Sequence, residues 1–316
     1  MRLKNPEAAG FLASFAFMVL ASVRDVYLGG LFQRLSPLHV AIVAFALCSV
    51  VFLPIALVKS PGSLWLLLRR PRDLFWVNAT SAVAWIAFFY ALRVIEPLLV
   101  QIIFSGIGPL SVVWIDRLVP GAAPSAPRSR AERRVHLGLL AAIAVAIAIA
   151  LGGLSGAGPQ PLGVAAIGVA LAVGAGISIS LNTLLCRRLN DAGVDPTALV
   201  SVRFIGAVAL AAGLAGPSGH GLSVLFSPDV ITAVLGASLL LIVLPNYVNQ
   251  VGISLASPLT VRVVLALGPV VIFLLQLVEG RLSSSPYSLA GAILYGGLAI
   301  SAGLTRRRAI RAAVLA

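Results

Sequence analysis

The most restrictive feature of this sequence is a series of apolar stretches, each about 20 residues long, separated by short polar segments. A helix rises about 1.5 Å per residue, so a stretch of this length can cross the hydrocarbon core of a bilayer. The stretches lack the two-residue alternation of a membrane β-barrel strand. The pattern therefore predicts an all-α, polytopic membrane protein with ten transmembrane helices, at residues 8–30, 38–58, 73–93, 96–115, 136–153, 162–187, 196–215, 229–252, 257–277 and 287–304.

Composition agrees with this class of protein and excludes others. Hydrophobic residues make up 59% of the 316 residues and charged residues only 10%, whereas soluble domains carry about 25% charged residues. The two cysteines, Cys48 and Cys186, fall inside apolar stretches, so we expect neither a disulfide framework nor a metal site. Neither Lys4 nor Lys59 ends a phosphate-binding glycine loop, and no HExxH motif occurs, so we expect no cofactor and no enzymatic activity.

The formal net charge of +13 indicates orientation in the membrane rather than a nucleic-acid partner. Most lysine and arginine residues lie in segments that share one side of the predicted bundle with both chain ends. Only Arg34, Arg93 and Arg281 lie in segments on the other side. By the positive-inside rule, both termini are expected in the cytoplasm, with the chain in the inner membrane.

Two motifs occur twice, in the same order. "SPLHVAIVAF" (36–45) is similar to "DPTALVSVRF" (195–204), and "EPLLVQIIFSGIGP" (96–109) is similar to "SPLTVRVVLALGP" (257–269). The repetition predicts two five-helix repeats. Because five is odd, the second repeat enters the membrane from the opposite side, an inverted topology found in many secondary transporters. The predicted repeats are residues 1–153 and residues 154–316.

Both motifs place prolines where they start or bend a helix. A Ser, Asp or Glu followed by proline suits a helix start, because the first side chain caps free amide groups and proline at the first helical position lacks only an unneeded hydrogen. Pro109 and Pro269 come about 12 residues later, near the middle of their spans. There proline frees the carbonyl four residues back and bends the helix. We expect both prolines to act as hinges.

Three features carry a resemblance to a known family: the repeated motifs, the Arg-Phe that ends "DPTALVSVRF", and the ten-span plan. In these the chain resembles the drug/metabolite transporter superfamily, specifically its EamA-type permeases. The resemblance covers both halves. It implies a central cavity framed by spans 1 to 4 and 6 to 9, with spans 5 and 10 peripheral. It also implies alternating-access transport of small metabolites, such as amino acids or related carboxylates, often as export. The implied partners are a small-molecule substrate, the lipid bilayer and protons as a coupling ion, for a monomer or homodimer.

Ionisable and amide side chains inside the predicted spans carry a high free-energy cost of insertion into the bilayer, and by default they mark functional sites. Arg203 and Arg262 are expected about 10 Å and 8 Å inside the cytoplasmic edge. No Asp or Glu lies away from the span ends in the second half to neutralise them, so we expect them to recruit an anionic group of the substrate. The alternative is that both arginines snorkel to lipid phosphates. The complete set of expected substrate-binding residues is Arg203, Arg262, Asn182, Asn246, Asn249, Gln250, Gln101, Asn78, Trp85 and Tyr90.

Arg24, Asp25 and Gln101 are expected toward the outer side of the first half. Asp25 is the carboxylate placed most clearly within a span, which makes it the candidate for proton coupling. The alternative is a structural partner for an arginine elsewhere in the fold. Adjacent helical residues point about 100° apart, so Arg24 and Asp25 are not expected to face each other.

Two functions from other classes remain open. "GLSG" (153–156) matches the serine motif of rhomboid-type intramembrane proteases, with Ser155 as nucleophile and His220 expected on the same side of the membrane. A turn in this glycine-rich segment is the simpler interpretation. A non-transporting membrane scaffold is the other alternative.

Overall fold

A computed structural model describes residues 6–115, 130–216, 228–255, 261 and 264–315, and all statements below concern these residues. Arg262 and His220 lie outside the described residues, as do the side chains of Gln250 and Pro109. Within the described ranges the regular structure is helical, without strands. The helices are α1 (Pro6–Leu31), α2 (Pro37–Lys59), α3 (Pro61–Leu68), α4 (Pro71–Val94), α5 (Pro97–Ile115), α6 (Arg130–Leu151), α7 (Leu162–Asp191), α8 (Pro196–Val202), α9 (Ile205–Ala215), α10 (Pro228–Ser238), α11 (Leu244–Leu255), α12 (Gly268–Glu279) and α13 (Pro286–Leu315).

Seven helical segments in the described ranges are long and apolar enough to cross a membrane. The chain is therefore an α-helical, multi-pass membrane protein. Three shorter apolar helices overlap three further spans predicted from the sequence, at Pro97–Ile107, Val234–Asn249 and Gly268–Glu279. The seven longer segments are Ala8–Leu31, Pro37–Lys59, Pro71–Val94, Arg133–Leu151, Leu162–Asp191, Pro196–Ala215 and Pro286–Thr305.

Two of the predicted helix starts are confirmed in atomic detail. The Ser36 hydroxyl accepts a hydrogen bond from the Leu38 N–H at 3.4 Å, and Pro37 opens α2. Asp195 accepts from the Thr197 N–H at 2.8 Å, and Pro196 opens α8. In both copies, a side-chain oxygen caps an amide that the helix itself leaves unpaired.

The second half of the chain is less regular than the hydropathy predicted. The helix expected at 196–215 breaks at Arg203 and Phe204 into α8 and α9. A π-helical segment at Leu239–Val243 joins α10 to α11, directly before Pro245. A turn at Ala266–Leu267 precedes α12. At the first break, the Gly206 N–H bonds to the Asn78 side chain of α4.

The ends of several helices meet at one side of the bundle, here called the Gly29 end. A Cβ built on Gly29 would lie 2.8 Å from Pro97 Cγ and 3.6 Å from the Leu92 carbonyl. The same end holds the Glu279 carboxylate, 2.9 Å from a Cβ built on Gly30. The carboxyl ends of α1, α4 and α12 and the amino end of α5 therefore meet here.

The opposite end of the bundle, the Ser63 end, joins the segment after α2 to the segment after α7. The Asp195 N–H donates a hydrogen bond to the Ser63 hydroxyl at 3.0 Å. The short helix α3, which hydropathy did not predict, lies at this end between α2 and α4.

Helices from the two halves of the chain pack mainly against each other. α4 lies along α7, α1 lies along α11, and α2 lies along α8 and α9. Glycine permits the closest approach: a Cβ on Gly168 of α7 would lie 2.8 Å from side-chain carbons of Val94 and Ile95. The buried core is thus continuous across the two halves.

Candidate functional site

The best-defined charged group in the interior is an ion pair between neighbouring residues of α1. Nε and Nη2 of Arg24 both lie 2.8 Å from Oδ1 of Asp25, and both side chains are buried. The expectation that these residues do not face each other is wrong. The long arginine side chain folds back along the helix, so the 100° between the two Cα–Cβ bonds does not keep the charged ends apart.

Aromatic rings cover the guanidinium of this pair. Arg24 Cζ lies 5.1 Å from the ring centre of Trp85 and 5.7 Å from that of Phe88. A cation over an aromatic face is stabilised by the quadrupole of the ring, by about 2 kcal/mol when desolvated. α4 thereby holds Arg24 in place and brings the predicted site residue Trp85 next to the ion pair.

Asp25 of this pair and three other side chains carry buried polar atoms that have no partner among the described residues. The atoms are Oδ2 of Asp25, Nε1 of Trp85, Oε1 of Gln101, and both Oε1 and Nε2 of Gln276. A buried polar group without a partner costs about 1–3 kcal/mol, and native structures contain few of them. These four residues are called the polar layer below.

Helix geometry places Gln101 at the level of Asp25. Pro97 of α5 contacts Gly29 of α1, and the two helices run in opposite directions from that contact. Residues four apart lie on the same face of a helix, so Gln101 and Asp25 are each one turn away from the contact, in the same direction. Gln101, predicted from the sequence to be polar and internal, therefore lies at the same height along the bundle as the ion pair.

Gln276 reaches the same region from α12. The Ser22 hydroxyl of α1 lies 3.5 Å from the Gly268 carbonyl, and Glu279 lies against Gly30. α12 therefore runs beside α1 in the same direction, and Gln276, three residues before Glu279, lies within about one turn of Asp25. Sequence analysis did not single out Gln276, although a glutamine within the apolar run "VVIFLLQLV" was a visible signal.

A row of aromatic rings connects the polar layer to a second buried arginine. The ring centres of Trp85 and Phe45 are 5.7 Å apart, and those of Phe45 and Phe204 are 4.8 Å apart and nearly parallel. Arg203 Cζ lies 4.5 Å from the ring of Phe204. One guanidinium lies at each end of this row, so the interior holds two cations separated by rings.

Arg203 lies at the break between α8 and α9 and is only 8% exposed. No carboxylate of the described residues lies within 4.0 Å of its guanidinium, and its Nε has no hydrogen-bond partner there. It lies near Cys48 of α2 and Cys186 of α7. Protein therefore surrounds this cation, which places it inside the bundle instead of at a lipid-facing surface.

Two of the amides expected in the binding site are occupied in helix packing. Asn182 of α7 donates from Nδ2 toward the Val77 carbonyl at 2.9 Å and the hydroxyls of Thr80 and Ser81 at 3.0 and 2.8 Å, all on α4. Asn78 accepts a hydrogen bond from Gly206 N–H. These contacts leave little capacity for a ligand.

The remaining predicted residues fall into two groups. Asn246 donates to the Ile242 carbonyl of its own helix at 2.8 Å, beside the π-helical segment, while Asn249 and Tyr90 are partly buried. Arg262 lies outside the described residues, and nothing is described of the Gln250 side chain. Of the predicted site residues, the structure thus brings Asp25 and Trp85 together on opposite sides of the Arg24 guanidinium.

The two expected hinges differ in backbone structure. α5 remains helical across Pro109, whereas α12 begins at Gly268, so Pro269 opens a new helix instead of bending a continuous one. Ser155 lies in a turn closed by a hydrogen bond from the Gly158 N–H to its carbonyl at 3.0 Å. The turn expected in this glycine-rich segment is present.

A cavity of about 280 Å³ opens at the Gly29 end, and its lining includes Gln33, Arg93, Glu96 and Arg281. Glu96 precedes α5 and is 2% exposed. Its Oε2 accepts from the Ser288 hydroxyl at 2.7 Å and the Gly156 N–H at 2.9 Å. Burial raises the pKa of Glu96 above its ordinary value, although these two hydrogen bonds partly oppose the shift.

Fold and site together define the class: a multi-pass helical membrane protein with a polar, partly unpaired interior. No family model matches the chain, and no curated protein matches it in sequence. Among solved structures, one described only as "Crystal structure of protein" has a TM-score of 0.59 at 19% identity. The match covers 95% of this chain and 100% of that one. At that identity, the similarity shows a shared fold.

Proposed function

We propose that this protein is a secondary transporter of the drug/metabolite superfamily, similar to EamA-type permeases, that exports small metabolites such as amino acids or related carboxylates. In this proposal the chain crosses the inner membrane ten times, with both termini in the cytoplasm. Its two five-helix halves, residues 1–153 and 154–316, are inverted repeats that alternate access to a site between them.

The pattern of helix contacts supports two related halves. If each span of the first half corresponds to the span five places later, the α4–α7 contact corresponds to the α1–α11 contact, and α5–α7 corresponds to α1–α12. Two other large interfaces are formed by α2 with α8 and α9, and by α6 with α13. In each of these, the two partners are already corresponding spans, so exchanging the halves gives the same interface. Such a set of contacts is expected when two copies of one unit pack about a two-fold axis.

The observation that carries the proposal is Arg203, a cation enclosed by protein at a helix break and without a carboxylate partner among the described residues. An enclosed, uncompensated charge is costly, and it persists where a ligand or water completes it. Discontinuous helices line substrate sites in many transporters. A guanidinium matches a carboxylate with paired hydrogen bonds. We assign the same role to Arg262 from its sequence position.

Two further roles complete the proposed cycle. Pro109, Pro269 and the breaks in the second half are the points about which the halves rock. Asp25 is the proton carrier, because it is a fully buried carboxylate whose Oδ2 has no partner among the described residues. In this proposal, gain or loss of a proton at Asp25 changes the charge of the interior, and that change is coupled to the rocking of the two halves.

Transport by purified protein in vesicles tests the proposal. Uptake of labelled amino and organic acids is measured for the native protein and for Arg203→Gln, with the exposed Arg34→Gln as matched control. We expect Arg203→Gln to raise the apparent substrate constant about tenfold, the loss of one charge-assisted contact of about 1.4 kcal/mol, and Arg34→Gln to leave it unchanged. An unchanged constant in Arg203→Gln would assign this arginine to packing alone.

Asp25→Asn tests coupling in the same vesicles. We expect it to abolish the dependence of uptake on a pH gradient, while Ser155→Ala retains full transport. If uptake by the Asp25→Asn variant still responds to a pH gradient, this residue is not the proton carrier. Loss of transport in Ser155→Ala would favour the serine-based alternative.

A further inference from the structure

We infer that a groove between α4 and α9 binds an anionic phospholipid, with an acyl chain in the groove and the phosphate on Arg72. The groove has a volume of about 290 Å³. Its lining comprises Phe75, Asn78, Ala79, Ala82 and Val83 of α4 and Gly206 and Leu210 of α9. None of these residues belongs to the polar layer, and the lipid site is independent of the transported substrate.

The groove is apolar and lies on the outer surface of the bundle. Phe75, Val83 and Leu210 are exposed, and they belong to two segments long and apolar enough to cross a membrane. Apolar side chains exposed on such segments face the hydrocarbon of the bilayer. Asn78 supplies the polar side chain of the lining, but its amide is already bonded to the Leu74 carbonyl and the Gly206 N–H. The groove therefore suits a hydrocarbon chain.

Arg72 continues the line of the groove toward the Ser63 end. It lies seven residues before Ala79 and eleven before Val83, so the three share one line along α4. Phe75 and Val83 are eight residues apart, which corresponds to about 12 Å of helix and accommodates the first part of an acyl chain. Arg72 is exposed in the first turn of α4. Helical side chains incline toward the amino end of their helix, which is the membrane edge here.

The segment around Arg72 carries an excess of positive charge. Arg69, Arg70 and Arg72 are accompanied by one acidic residue, Asp73. Asp73 lies 3.9 Å from Arg70, and no carboxylate in the described ranges lies within 4.0 Å of the other two guanidinium groups. A guanidinium matches a phosphate with paired hydrogen bonds. Basic residues at a membrane edge attract anionic lipids, so charge selects the head group.

The short helix α3 marks the level of the lipid head groups. Trp65 and Leu68 are exposed on it, whereas Leu67 is buried against the bundle. Arg69 Cζ lies 5.1 Å from the centre of the Trp65 ring. Tryptophan and arginine both favour the boundary between hydrocarbon and water. Since α4 begins three residues after α3 ends, Arg72 lies near this boundary, where lipid phosphates are.

A lipid in this groove contacts two helices that meet at a single interhelical hydrogen bond of the lining, from the Gly206 N–H to Asn78. Gly206 comes three residues after Arg203, at the start of α9. A ligand that binds only the folded protein stabilises it. Bound lipid should therefore hold α4 against α9 beside the helix break.

Native mass spectrometry of the full-length protein in detergent tests the inference. The probes are 1-palmitoyl-2-oleoyl phosphatidylglycerol, the phosphatidylcholine with the same acyl chains, and inorganic phosphate. We expect the first phosphatidylglycerol to bind roughly tenfold more tightly than the first phosphatidylcholine, whose head group has no net charge. Equal binding of the two lipids would overturn the inference. Inorganic phosphate that binds as tightly as phosphatidylglycerol would also overturn it, because the groove would then contribute nothing.

Arg72→Gln tests the head-group contact. It should weaken phosphatidylglycerol binding about fivefold, the effect of one basic residue at a membrane surface, and leave phosphatidylcholine binding unchanged. The matched control is Arg34→Gln, which removes an exposed arginine at the Gly29 end and should change neither. Phosphatidylglycerol should also raise the melting temperature of the native protein more than that of Arg72→Gln. An undiminished preference for phosphatidylglycerol in Arg72→Gln would refute the assignment.

Ala79→Phe tests the groove itself. The added ring would fill the groove, so binding of both lipids should weaken several-fold. Ala144→Phe, at an exposed position of α6 outside the groove, is the matched control and should bind both lipids normally. Val83→Phe, at an exposed position of the same groove, is the second variant if Ala79→Phe does not fold. Native lipid affinity in a folded groove variant would contradict the proposed position of the acyl chain.

Discussion

Asn78 Oδ1 accepts a hydrogen bond from the Gly206 N–H at 2.8 Å, which joins α4 to the first turn of α9 beside the break at Arg203 and Phe204. The first turn of a helix leaves its amides unpaired, and here a side chain of another helix supplies the partner. A Cβ on Gly206 would lie 2.9 Å from Asn78 Cβ, so the two helices are as close as glycine allows. Asn78 thus stabilises the break that positions Arg203.

Replacing Asn78 by leucine should destabilise the protein. The substitution leaves the partly buried Gly206 N–H without its partner, which costs up to about 1–3 kcal/mol. Thermal unfolding in detergent should show a melting temperature several degrees lower. An unchanged melting temperature would mean that water replaces the asparagine.

Gly206→Ala should also lower the melting temperature, because the added methyl group would meet Asn78 at 2.9 Å. The matched control is Gly174→Ala in α7, where a Cβ would meet nothing within 4 Å. The control should be neutral or slightly stabilising, since alanine favours a helix by about 1 kcal/mol over glycine. Equal effects of the two substitutions would contradict the close packing of α4 against α9.

Asn182→Leu should weaken the contact between α7 and α4 more than it affects substrate affinity. Its amide bonds to the Val77 carbonyl and to the Thr80 and Ser81 hydroxyls are lost, and polar contacts between membrane helices contribute about 0.6 to 2 kcal/mol. Unfolding in detergent and the apparent substrate constant in vesicles are the two measurements. A tenfold rise of that constant at unchanged stability would restore Asn182 to the substrate site.

Glu96 should make stability depend on pH. Because burial raises its pKa in the folded state, the folded protein binds a proton more tightly than the unfolded chain. Stability from this group is therefore greatest in acid and falls as pH rises from the ordinary value of 4.5 through the raised folded pKa. Melting temperatures between about pH 4 and 8 should show a smaller decline in Glu96→Gln than in the native protein. The exposed Asp191→Asn should behave like the native protein, and an identical decline in Glu96→Gln would exclude Glu96 as the cause.

Accessibility labelling should separate the two ends of the bundle. On a background in which both native cysteines are alanine, single cysteines at Gln33 and Arg281 lie at the Gly29 end, and those at Lys59 and Asp191 lie at the Ser63 end. A membrane-impermeant maleimide should label the first two from outside intact cells and the other two only after permeabilisation. Labelling of all four from one side would exclude the proposed topology.

The sequence alone determined the all-helical membrane class, the seven longest spans and the helix starts at Pro37 and Pro196. Each of these follows from local chemistry. A helix of about 20 apolar residues spans the hydrocarbon core of a bilayer, and a capping side chain before proline pairs with free amides at a helix start. The sequence also identified Asp25 and Gln101 as internal polar residues, because polar groups within apolar runs are exceptional, and it placed the aromatic Trp85 among the expected binding residues.

Only the tertiary structure decided how those polar groups are used. No proline marks the break at Arg203; beside it, Phe204 stacks against Phe45, and Asn78 of another helix accepts from the Gly206 N–H. Hydropathy could not show that the Asn182 side chain is hydrogen-bonded to α4, or that both polar atoms of Gln276 are buried without a partner among the described residues. The physical reason is that the sequence near a polar residue shows whether its burial in the membrane is costly. Its hydrogen-bond partner, however, lies on a helix that is distant in sequence, and only the packing of the helices shows which one.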